Sequence, residues 1–374
     1  MIRFSEIGKR IKPSALEELM KVQAEISFAA GAPSIEMMPN AELAQIAYDI
    51  LMQPDKKALR YGITEGYAPL IEQLKERLTK QGIFHEGDEL VITTGAQQGI
   101  DLIAKVFLDA GDTLICENPS YVGALDTFRS YGAKLVGVPM EADGMRVADI
   151  PVAKLIYTIP NFQNPTGITM SLAKRQELLK IAEANDAFIL EDDPYGELRF
   201  EGENIKNIKE LDNSGRVIYV GSFSKILSPG LRVGYVVANK EIINKILICK
   251  QTADAHTCML SQMQISEYMR QYDIDKLIEK ERAFYKAKRD IMVEAIEKHL
   301  PKNIRTYIPQ GGIFLWCEGA SAIRAIENGV AALEGKASMA NNEDIDAFRL
   351  NYSLPSPEQI EKGIKLLARA LTFI

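Results

Sequence analysis

The chain has 374 residues, of which 47% are hydrophobic and 25% are charged, and its formal net charge is −7. This length predicts two compact units, or one large unit with a smaller appendage. The acidic balance and the lack of a lysine- or arginine-rich block argue against nucleic-acid binding, and the lack of an apolar run of about 18 residues argues against a membrane span.

The N-terminal residues read MIRFSEIGKRIKPS and contain no apolar signal-peptide core, so we expect a cytoplasmic protein. The four cysteines show no paired spacing, which indicates reduced thiols. The three histidines do not lie at helical spacing, so no metal site is expected. If the chain is an enzyme, its chemistry depends on other residue types.

The middle of the chain alternates short apolar runs with longer helix-like stretches. The strand-like runs are 89–95, 112–119, 133–140, 153–160, 187–194, 216–224 and 231–238. Helix-like segments lie between several of them, for example 97–110 and 171–186. This alternation predicts a parallel α/β sheet with right-handed crossovers.

The pattern changes after about residue 240. Residues 262–300 carry apolar side chains at three- to four-residue spacing, which predicts a long helix that links the large unit to a C-terminal α/β piece. That piece contains the apolar runs 311–319 and 348–353 and a final helix.

Polar stretches follow three of the predicted strands, where ligands gather in parallel sheets. In ITTGAQQGI, the backbone amides near Ala96 and Gln97 begin a helix and form a potential anion site. The dipeptide Asn164-Pro165 in IPNFQNPTG also fits an ordinary turn. The carboxylates of EDDPYGELRF fit either capping groups or a partner for a cationic ring nitrogen.

Lys225 is the only amine within IYVGSFSKILSPGLRVGY. Alone it fits a loop lysine equally well. Combined with a carboxylate, an amide, a helix N-terminus and Arg232, it fits the binding of an aldehyde cofactor as a lysine Schiff base. The carboxylate then keeps the ring nitrogen protonated, and the helix N-terminus and the arginine bind a phosphate. A lysine in this role needs a lowered pKa, which burial and nearby positive charge provide.

The ordered motifs resemble class I/II aminotransferases, which are pyridoxal 5′-phosphate enzymes of fold type I, in the branch of the 2-aminoadipate, kynurenine and aromatic aminotransferases. These motifs are LRYGITEGYAPL, TTGAQQGIDL, ENPSYVG, PNFQNPTG, EDDPYGEL, SFSKILSPGLRVGY, GGIFLW and FRLNYS. The resemblance implies a three-layer α/β sandwich with a mainly parallel mixed sheet, and a smaller α/β domain. It implies an N-terminal arm and part of the small domain over residues 1–44, a large cofactor-binding domain over 45–270, and a linking helix with the C-terminal small domain over 271–374.

The resemblance also implies residue roles. Lys225 forms the Schiff base and moves a proton, Asp192 pairs with the ring nitrogen, and Tyr195 hydrogen-bonds the ring hydroxyl. The implied cofactor-binding residues are Gly95, Ala96, Gln97, Tyr121, Asn164, Asp192, Tyr195, Ser222, Ser224, Lys225 and Arg232, with Tyr61 contributed to a neighbouring subunit. The site is then shared across a homodimer.

For the substrate, the resemblance implies that Arg349 binds the α-carboxylate through its guanidinium fork, with Asn164 beside it. Gly31 lets the N-terminal segment pass close over that carboxylate. We also predict a cis peptide at Asn164-Pro165, since the family turn often has one.

The implied activity is transfer of the amino group of an L-amino acid to a 2-oxo acid, with the cofactor alternating between its pyridoxal and pyridoxamine forms. A C–S lyase or a synthase on the same fold is the alternative, because the same residues stabilise the same carbanion. A sensor with vestigial catalysis is a third possibility. One segment departs from the family: residues 320–347 are shorter and contain GKASMANNED where relatives have a proline-glycine pair and an aromatic residue.

Overall fold

A computed structural model describes residues 2–21, 24–148 and 150–372. The helices are α1 (Glu6–Arg10), α2 (Ala15–Met20), α3 (Asn40–Leu51), α4 (Ala68–Lys80), α5 (Gly95–Phe107), α6 (Val122–Ser130), α7 (Leu172–Ala184), α8 (Ile208–Leu211), α9 (Lys240–Ala253), α10 (Met259–Gln271), α11 (Ile274–His299) and α12 (Pro357–Thr372). The strands are β1 (Ile26–Ser27), β2 (Asp88–Thr93), β3 (Thr113–Asn118), β4 (Lys134–Glu141), β5 (Gly144–Met145), β6 (Leu155–Thr158), β7 (Phe188–Asp192), β8 (Val217–Ser222), β9 (Gly234–Asn239), β10 (Arg305–Tyr307), β11 (Phe314–Glu318), β12 (Val330–Ala331), β13 (Leu333–Glu334) and β14 (Ala347–Asn351). None of the helices in these ranges is long and apolar enough to cross a membrane.

The largest element is an eight-stranded sheet with the strand order β2-β9-β8-β7-β6-β3-β4-β5. Neighbouring strands from β8 to β4 are parallel, whereas β9 is antiparallel to both β8 and β2. Parallel neighbours need crossover connections, and α6, α7 and α8 supply three of them. The mainly parallel mixed sheet predicted from the sequence is confirmed.

Helices cover both faces of this sheet. Successive residues of a strand point to opposite sides, so each strand packs side chains against the helices on both faces. Leu114 of β3 and Leu155 of β6 belong to one hydrophobic core, which also contains Ile103 of α5 and Phe128 of α6. The next residue along each strand, Ile115 or Ile156, belongs to a second core together with Leu178 of α7. The sheet therefore separates two cores, and the predicted three-layer sandwich is confirmed.

A smaller antiparallel sheet has the order β10-β11-β14-β13. Its central strand β14 carries Arg349, which pairs with Trp316 of β11. The N-terminal segment reaches the same region, since β1 pairs with β12 and the backbone N–H of Asn351 donates to the Phe28 carbonyl at 2.8 Å. The N-terminal segment after Phe28 therefore lies beside the strand that carries Arg349.

Two helices lie within residues 262–300: the predicted linking helix is α11, Ile274–His299, and the first part of the apolar pattern belongs to the separate helix α10. One ends at Gln271 and the next begins at Ile274. Asp273 explains the break: its carboxylate accepts hydrogen bonds from the backbone N–H groups of Asp275 and Lys276 at 3.1 and 3.3 Å. Such an N-cap starts a new helix and is incompatible with continuing the previous one.

Candidate active site

A cavity of about 280 Å³ lies at the carboxyl ends of the parallel strands and is bordered by residues 30–32. The segments that follow β2, β3, β6, β7 and β8 all reach it, which is where a parallel sheet binds ligands. The predicted site residues in its lining are Gly31, Ala96, Gln97, Tyr121, Asn164, Asp192, Tyr195, Ser222, Ser224, Lys225, Arg232 and Arg349. The fold therefore brings together residues that are far apart in the sequence.

Two predicted residues, Gly95 and Tyr61, are not in this lining. Gly95 begins α5 with a φ of 74°, and a Cβ atom there would clash with the Arg232 guanidinium. A glycine therefore lets the arginine pack against the start of the helix. Tyr61 is 94% exposed, and its ring centre lies 5.9 Å from that of His256.

Lys225 follows β8, and its Nζ donates to the Gly31 carbonyl at 2.5 Å. The pKa of this amine is lowered to about 8. Burial is the largest cause, and the positive charges of Arg349 and Arg232 add to it, whereas the negative charge of Asp192 acts in the opposite direction. An amine with this pKa is partly deprotonated near neutral pH, which is the form that attacks an aldehyde carbon. The environment of Lys225 therefore suits a nucleophilic and proton-transferring amine.

Asp192 is the last residue of β7, and its side chain is buried. Its Oδ2 accepts a hydrogen bond from the Tyr157 hydroxyl at 2.8 Å, whereas Oδ1 is buried without a partner among the described residues. Burial raises the pKa of this carboxyl to about 7. A protonated ring nitrogen is both a donor and a positive charge, so it would satisfy Oδ1 and keep the carboxylate ionised. The residues present therefore fit the ring of a pyridoxal cofactor.

Two tyrosines and an asparagine extend the polar lining. Tyr195 and Asn164 both line the cavity, and Asn164 Oδ1 accepts a hydrogen bond from the Arg349 guanidinium at 2.8 Å. Burial raises the pKa of Tyr121 to about 12 and also raises the pKa of Tyr195. Both phenols therefore keep their protons near neutral pH and can donate to a ligand. The peptide before Pro165 is cis, as predicted.

The N-terminus of α5 forms another polar end of the cavity. Ala96 and Gln97 lie in the first turn of this 13-residue helix, and the N-cap residue Thr94 makes no side-chain hydrogen bond to the helix amides. The first backbone N–H groups are thus available to a ligand. Two hydroxyls and a guanidinium line the same cavity: Ser222, Ser224 and Arg232. This set of donors fits a phosphate group.

Arg349 is only 2% exposed, and its guanidinium lies 4.0 Å from the centre of the Phe314 ring. One terminal nitrogen donates to the Ala29 carbonyl at 2.5 Å, while Nε is buried without a partner in the described part of the chain. Burial lowers the pKa of this group to about 10, and only the phenols of Tyr195 and Tyr121 oppose the shift. A buried cation that no described carboxylate neutralises favours an anionic ligand.

Two residues that contact the polar groups of the site, Phe314 and Tyr157, were not predicted from the sequence. Phe314 supports the guanidinium of Arg349, and Tyr157 holds one oxygen of Asp192. The sequence did contain a signal for Tyr157, because a tyrosine within an apolar, fully buried strand needs a buried hydrogen-bond partner for its hydroxyl.

Residues 335–344, GKASMANNED, lie within the segment 320–347 that departs from the family pattern, and they brace the loop that carries Tyr121. The backbone N–H of Ser120 donates to the Ser338 carbonyl at 2.7 Å, and that of Ala340 donates to Asn118 Oδ1 at 2.8 Å. These bonds tie the end of β3 to the segment that precedes β14, so they connect the Tyr121 side of the cavity to the Arg349 side.

The three-layer sandwich around the eight-stranded sheet, and the placement of Lys225 and Asp192 in one cavity, define a pyridoxal phosphate-dependent enzyme of fold type I. The chain belongs to the aminotransferase class I and II family, whose sequence profile matches residues 24–367.

Named relatives are similar over nearly the whole chain. The chain is 37% identical to aromatic-amino-acid aminotransferase 1 of Thermococcus litoralis, over 98% of this chain and 94% of the relative. It is 38% identical to the 2-aminoadipate transaminase of Thermus thermophilus, over 98% and 96%. The crystal structure of a kynurenine aminotransferase of Pyrococcus horikoshii in complex with PMP superposes with a TM-score of 0.92 at 37% identity, over 98% of this chain and 96% of that chain. The predicted aminotransferase function and pyridoxal phosphate cofactor are confirmed, and the lyase alternative gains no support.

Proposed function

We propose that the chain moves the amino group of an L-amino acid to a 2-oxo acid in this cavity, with Lys225, Asp192 and Arg349 in the central roles. The proposal is carried by one observation: a buried guanidinium that no described carboxylate neutralises shares a cavity with an amine of lowered pKa. The guanidinium selects a carboxylate, and the amine works at the adjacent carbon. Amino acids and 2-oxo acids carry these two groups on neighbouring carbons.

When bound, pyridoxal phosphate supplies an electron-withdrawing ring that stabilises negative charge at the substrate α-carbon. In our proposal Lys225 anchors the aldehyde carbon and, once released, moves the proton at the substrate α-carbon as a general base. Asp192 keeps the ring nitrogen protonated. Asn164 uses its oxygen for Arg349, which leaves its amide N–H₂ and the Tyr195 hydroxyl to donate to the ring oxygen.

The remaining lining residues hold the cofactor and shape the substrate pocket. Tyr121 stacks on the ring face, and the start of α5 with Arg232 binds the phosphate. Gly31 lies against the substrate carboxylate: a Cβ atom there would lie 3.2 Å from the Phe314 ring and 3.9 Å from the Arg349 guanidinium. A side chain at that position would crowd the pair that grips the carboxylate.

A spectroscopic half-reaction tests this proposal. Adding L-amino acids to the holoenzyme without an acceptor is expected to convert the pyridoxal band into the pyridoxamine band, and a 2-oxo acid is expected to reverse the change. The panel contains aromatic amino acids, kynurenine, 2-aminoadipate, glutamate and leucine, with the D-enantiomers as controls, and the rates rank the substrates. No conversion with any of them would contradict transamination. Acceptor-independent release of pyruvate and ammonia from cysteine or cystathionine would establish the lyase instead.

The proposal includes a homodimer in which Tyr61 reaches the phosphate end of the neighbouring cavity. Tyr61 does not line the cavity of its own chain, and its sequence neighbours Leu59 and Ile63 are 68% and 61% exposed. Exposed apolar side chains clustered in this way mark an interaction surface. A second copy of the chain is the occupant that the shared site requires.

Subunit hybrids test the shared site. Lys225→Ala and Tyr61→Ala homodimers are each expected to have low activity, whereas hybrids of the two are expected to regain it. The reason is that one cavity of the hybrid combines an intact Lys225 from one subunit with an intact Tyr61 from the other. Co-expression with two affinity tags isolates the hybrid, and sedimentation gives its mass. A hybrid whose activity is only the mean of the two homodimers would show that each chain builds its site alone.

A further inference from the structure

We infer that Tyr157 is a positioning residue for Asp192: its hydroxyl fixes one carboxylate oxygen and leaves the other free for the cofactor's ring nitrogen. This inference rests on the role proposed above for Asp192. It adds a residue of the neighbouring strand that does not line the cavity.

Strand register brings the two side chains together. β6 and β7 are parallel neighbours, and Tyr157 is paired with Leu190. Asp192 lies two residues beyond Leu190, so it projects from the same face of the sheet as Tyr157. The Tyr157 hydroxyl reaches Asp192 Oδ2 at 2.8 Å, a good distance for a hydrogen bond between a phenol and a carboxylate.

The Tyr157 ring is held firmly enough to act as a support. The residue is fully buried, and its ring meets the edge of the Phe128 ring with centres 5.3 Å apart at an interplanar angle of 66°. Asp192 in turn has one oxygen engaged by this hydroxyl and one without a described partner. The hydrogen bond therefore determines which oxygen remains for a ligand.

The same bond affects the protonation of Asp192. Burial raises the pKa of this carboxyl to about 7, while the Tyr157 hydroxyl and the Lys225 charge act in the opposite direction. The other titratable groups that face Asp192 or Tyr157 are Asp193, Glu117, Tyr121 and Tyr195. None of these four groups is a cation. If the Tyr157 hydroxyl is removed, Lys225 is therefore the group among the described residues that still favours the ionised form of Asp192. The neutral carboxyl, which cannot pair with a ring cation, would then persist to higher pH.

Ligand binding to the apoprotein tests the inference without any turnover. The probe is 4-deoxypyridoxine 5′-phosphate, which has the ring nitrogen and phosphate but no aldehyde, so Lys225 forms no bond to it. Tyr157→Phe is expected to bind this probe about tenfold more weakly at neutral pH, since one hydrogen bond to a charged group is lost. The pH below which binding weakens is expected to rise by about one unit. Affinity for inorganic phosphate, which needs only the phosphate end, is expected to stay unchanged.

Tyr219→Phe is the matched control. Tyr219 is also a buried tyrosine, on β8, and its hydroxyl donates to Asp193 at 3.2 Å. This variant is expected to lose a similar buried hydrogen bond and yet keep the wild-type pH profile for the probe. Wild-type binding by Tyr157→Phe, or an equal loss of probe and phosphate binding, would overturn the inference.

An Asp192→Asn background separates the inference from the role it rests on. Asp192→Asn alone is expected to weaken probe binding, and adding Tyr157→Phe to it is expected to cause no further loss, because the two side chains act as one unit. If Asp192→Asn binds the probe normally, the proposed role of Asp192 fails. If it binds weakly and Tyr157→Phe weakens binding further by the full factor, only the role of Tyr157 fails. Tyr157→His retains an N–H donor, so it is expected to bind the probe more tightly than Tyr157→Phe, and its loss of probe binding relative to phosphate binding is the test if the phenylalanine variant does not fold.

Discussion

Replacement of Lys225 by alanine is expected to lower kcat by about 10⁴-fold or more, because it removes the side chain that we propose as both the base and the covalent anchor of the cofactor. Steady-state turnover measures the effect. Mass spectrometry of the denatured protein after borohydride treatment checks the anchor, since the wild type is expected to retain a cofactor adduct and the variant is not. Turnover comparable to the wild type would place the reactive amine elsewhere.

The fold of the Lys225→Ala apoprotein is expected to be at least as stable as that of the wild-type apoprotein. The folded-state pKa of Lys225, about 8, lies below the ordinary value of 10.5, so the folded state disfavours the charged amine. That cost is fully present below pH 8 and disappears as the pH rises toward the ordinary value, so at pH 7 the substitution removes it. Thermal unfolding of the two apoproteins is the measurement, because bound cofactor would stabilise the wild type.

Lys209→Met is the control, because it is expected to lower stability and leave turnover unchanged, which is the opposite of Lys225→Ala. Lys209 is buried and pairs with Asp88 at 3.0 Å, and it is not among the residues that line the cavity. Removing one partner of a buried ion pair typically costs about 3–5 kcal/mol of unfolding free energy. We therefore expect lower stability with normal turnover per folded molecule. The two variants together separate catalysis by a lysine from structural support by a lysine.

The large sheet and the grouping of Asp192 with Lys225 could be predicted, because both depend on patterns within short stretches of the sequence. Apolar runs alternating with amphipathic segments specify a parallel sheet, and such a sheet brings the residues at its strand ends to one edge. Asp192 and Lys225 therefore could be placed together from the sequence, although they belong to different strands. Asn164, the N-terminus of α5 and Arg232 could be placed at this edge by the same rule, because each follows a strand of the sheet.

Other features depend on tertiary contacts that no local pattern contains. The Tyr157 hydrogen bond depends on the register between two strands, and the brace on the Tyr121 loop depends on contacts of Asn118 and Ser120 with residues more than 200 positions away. The boundary between α10 and α11 has a different cause: the apolar spacing continues across it, and the new helix starts there because Asp273 caps its first backbone N–H groups.

Arg349→Lys is expected to lower kcat/KM by about 10- to 100-fold, mainly through a higher KM for both the amino acid and the 2-oxo acid. A lysine ammonium cannot make the two parallel hydrogen bonds of a guanidinium fork to a carboxylate. It also cannot stack on Phe314 while it donates to the Ala29 carbonyl and to Asn164, as the guanidinium does. Steady-state kinetics with both substrates measure the change, and unchanged KM values would place the carboxylate grip elsewhere.

The substrate carboxylate itself can be varied to separate this grip from general damage to the site. An amine that lacks the α-carboxylate, such as phenethylamine, is expected to react equally slowly with the wild type and with Arg349→Lys, because it has nothing for the fork to bind. Arg289→Lys is the matched control: Arg289 is equally buried, but it pairs with Glu201 and the Pro309 carbonyl outside the cavity. It is expected to lower stability and leave KM unchanged. A KM increase confined to Arg349→Lys and to substrates with a carboxylate would assign the recognition of that group to this one side chain.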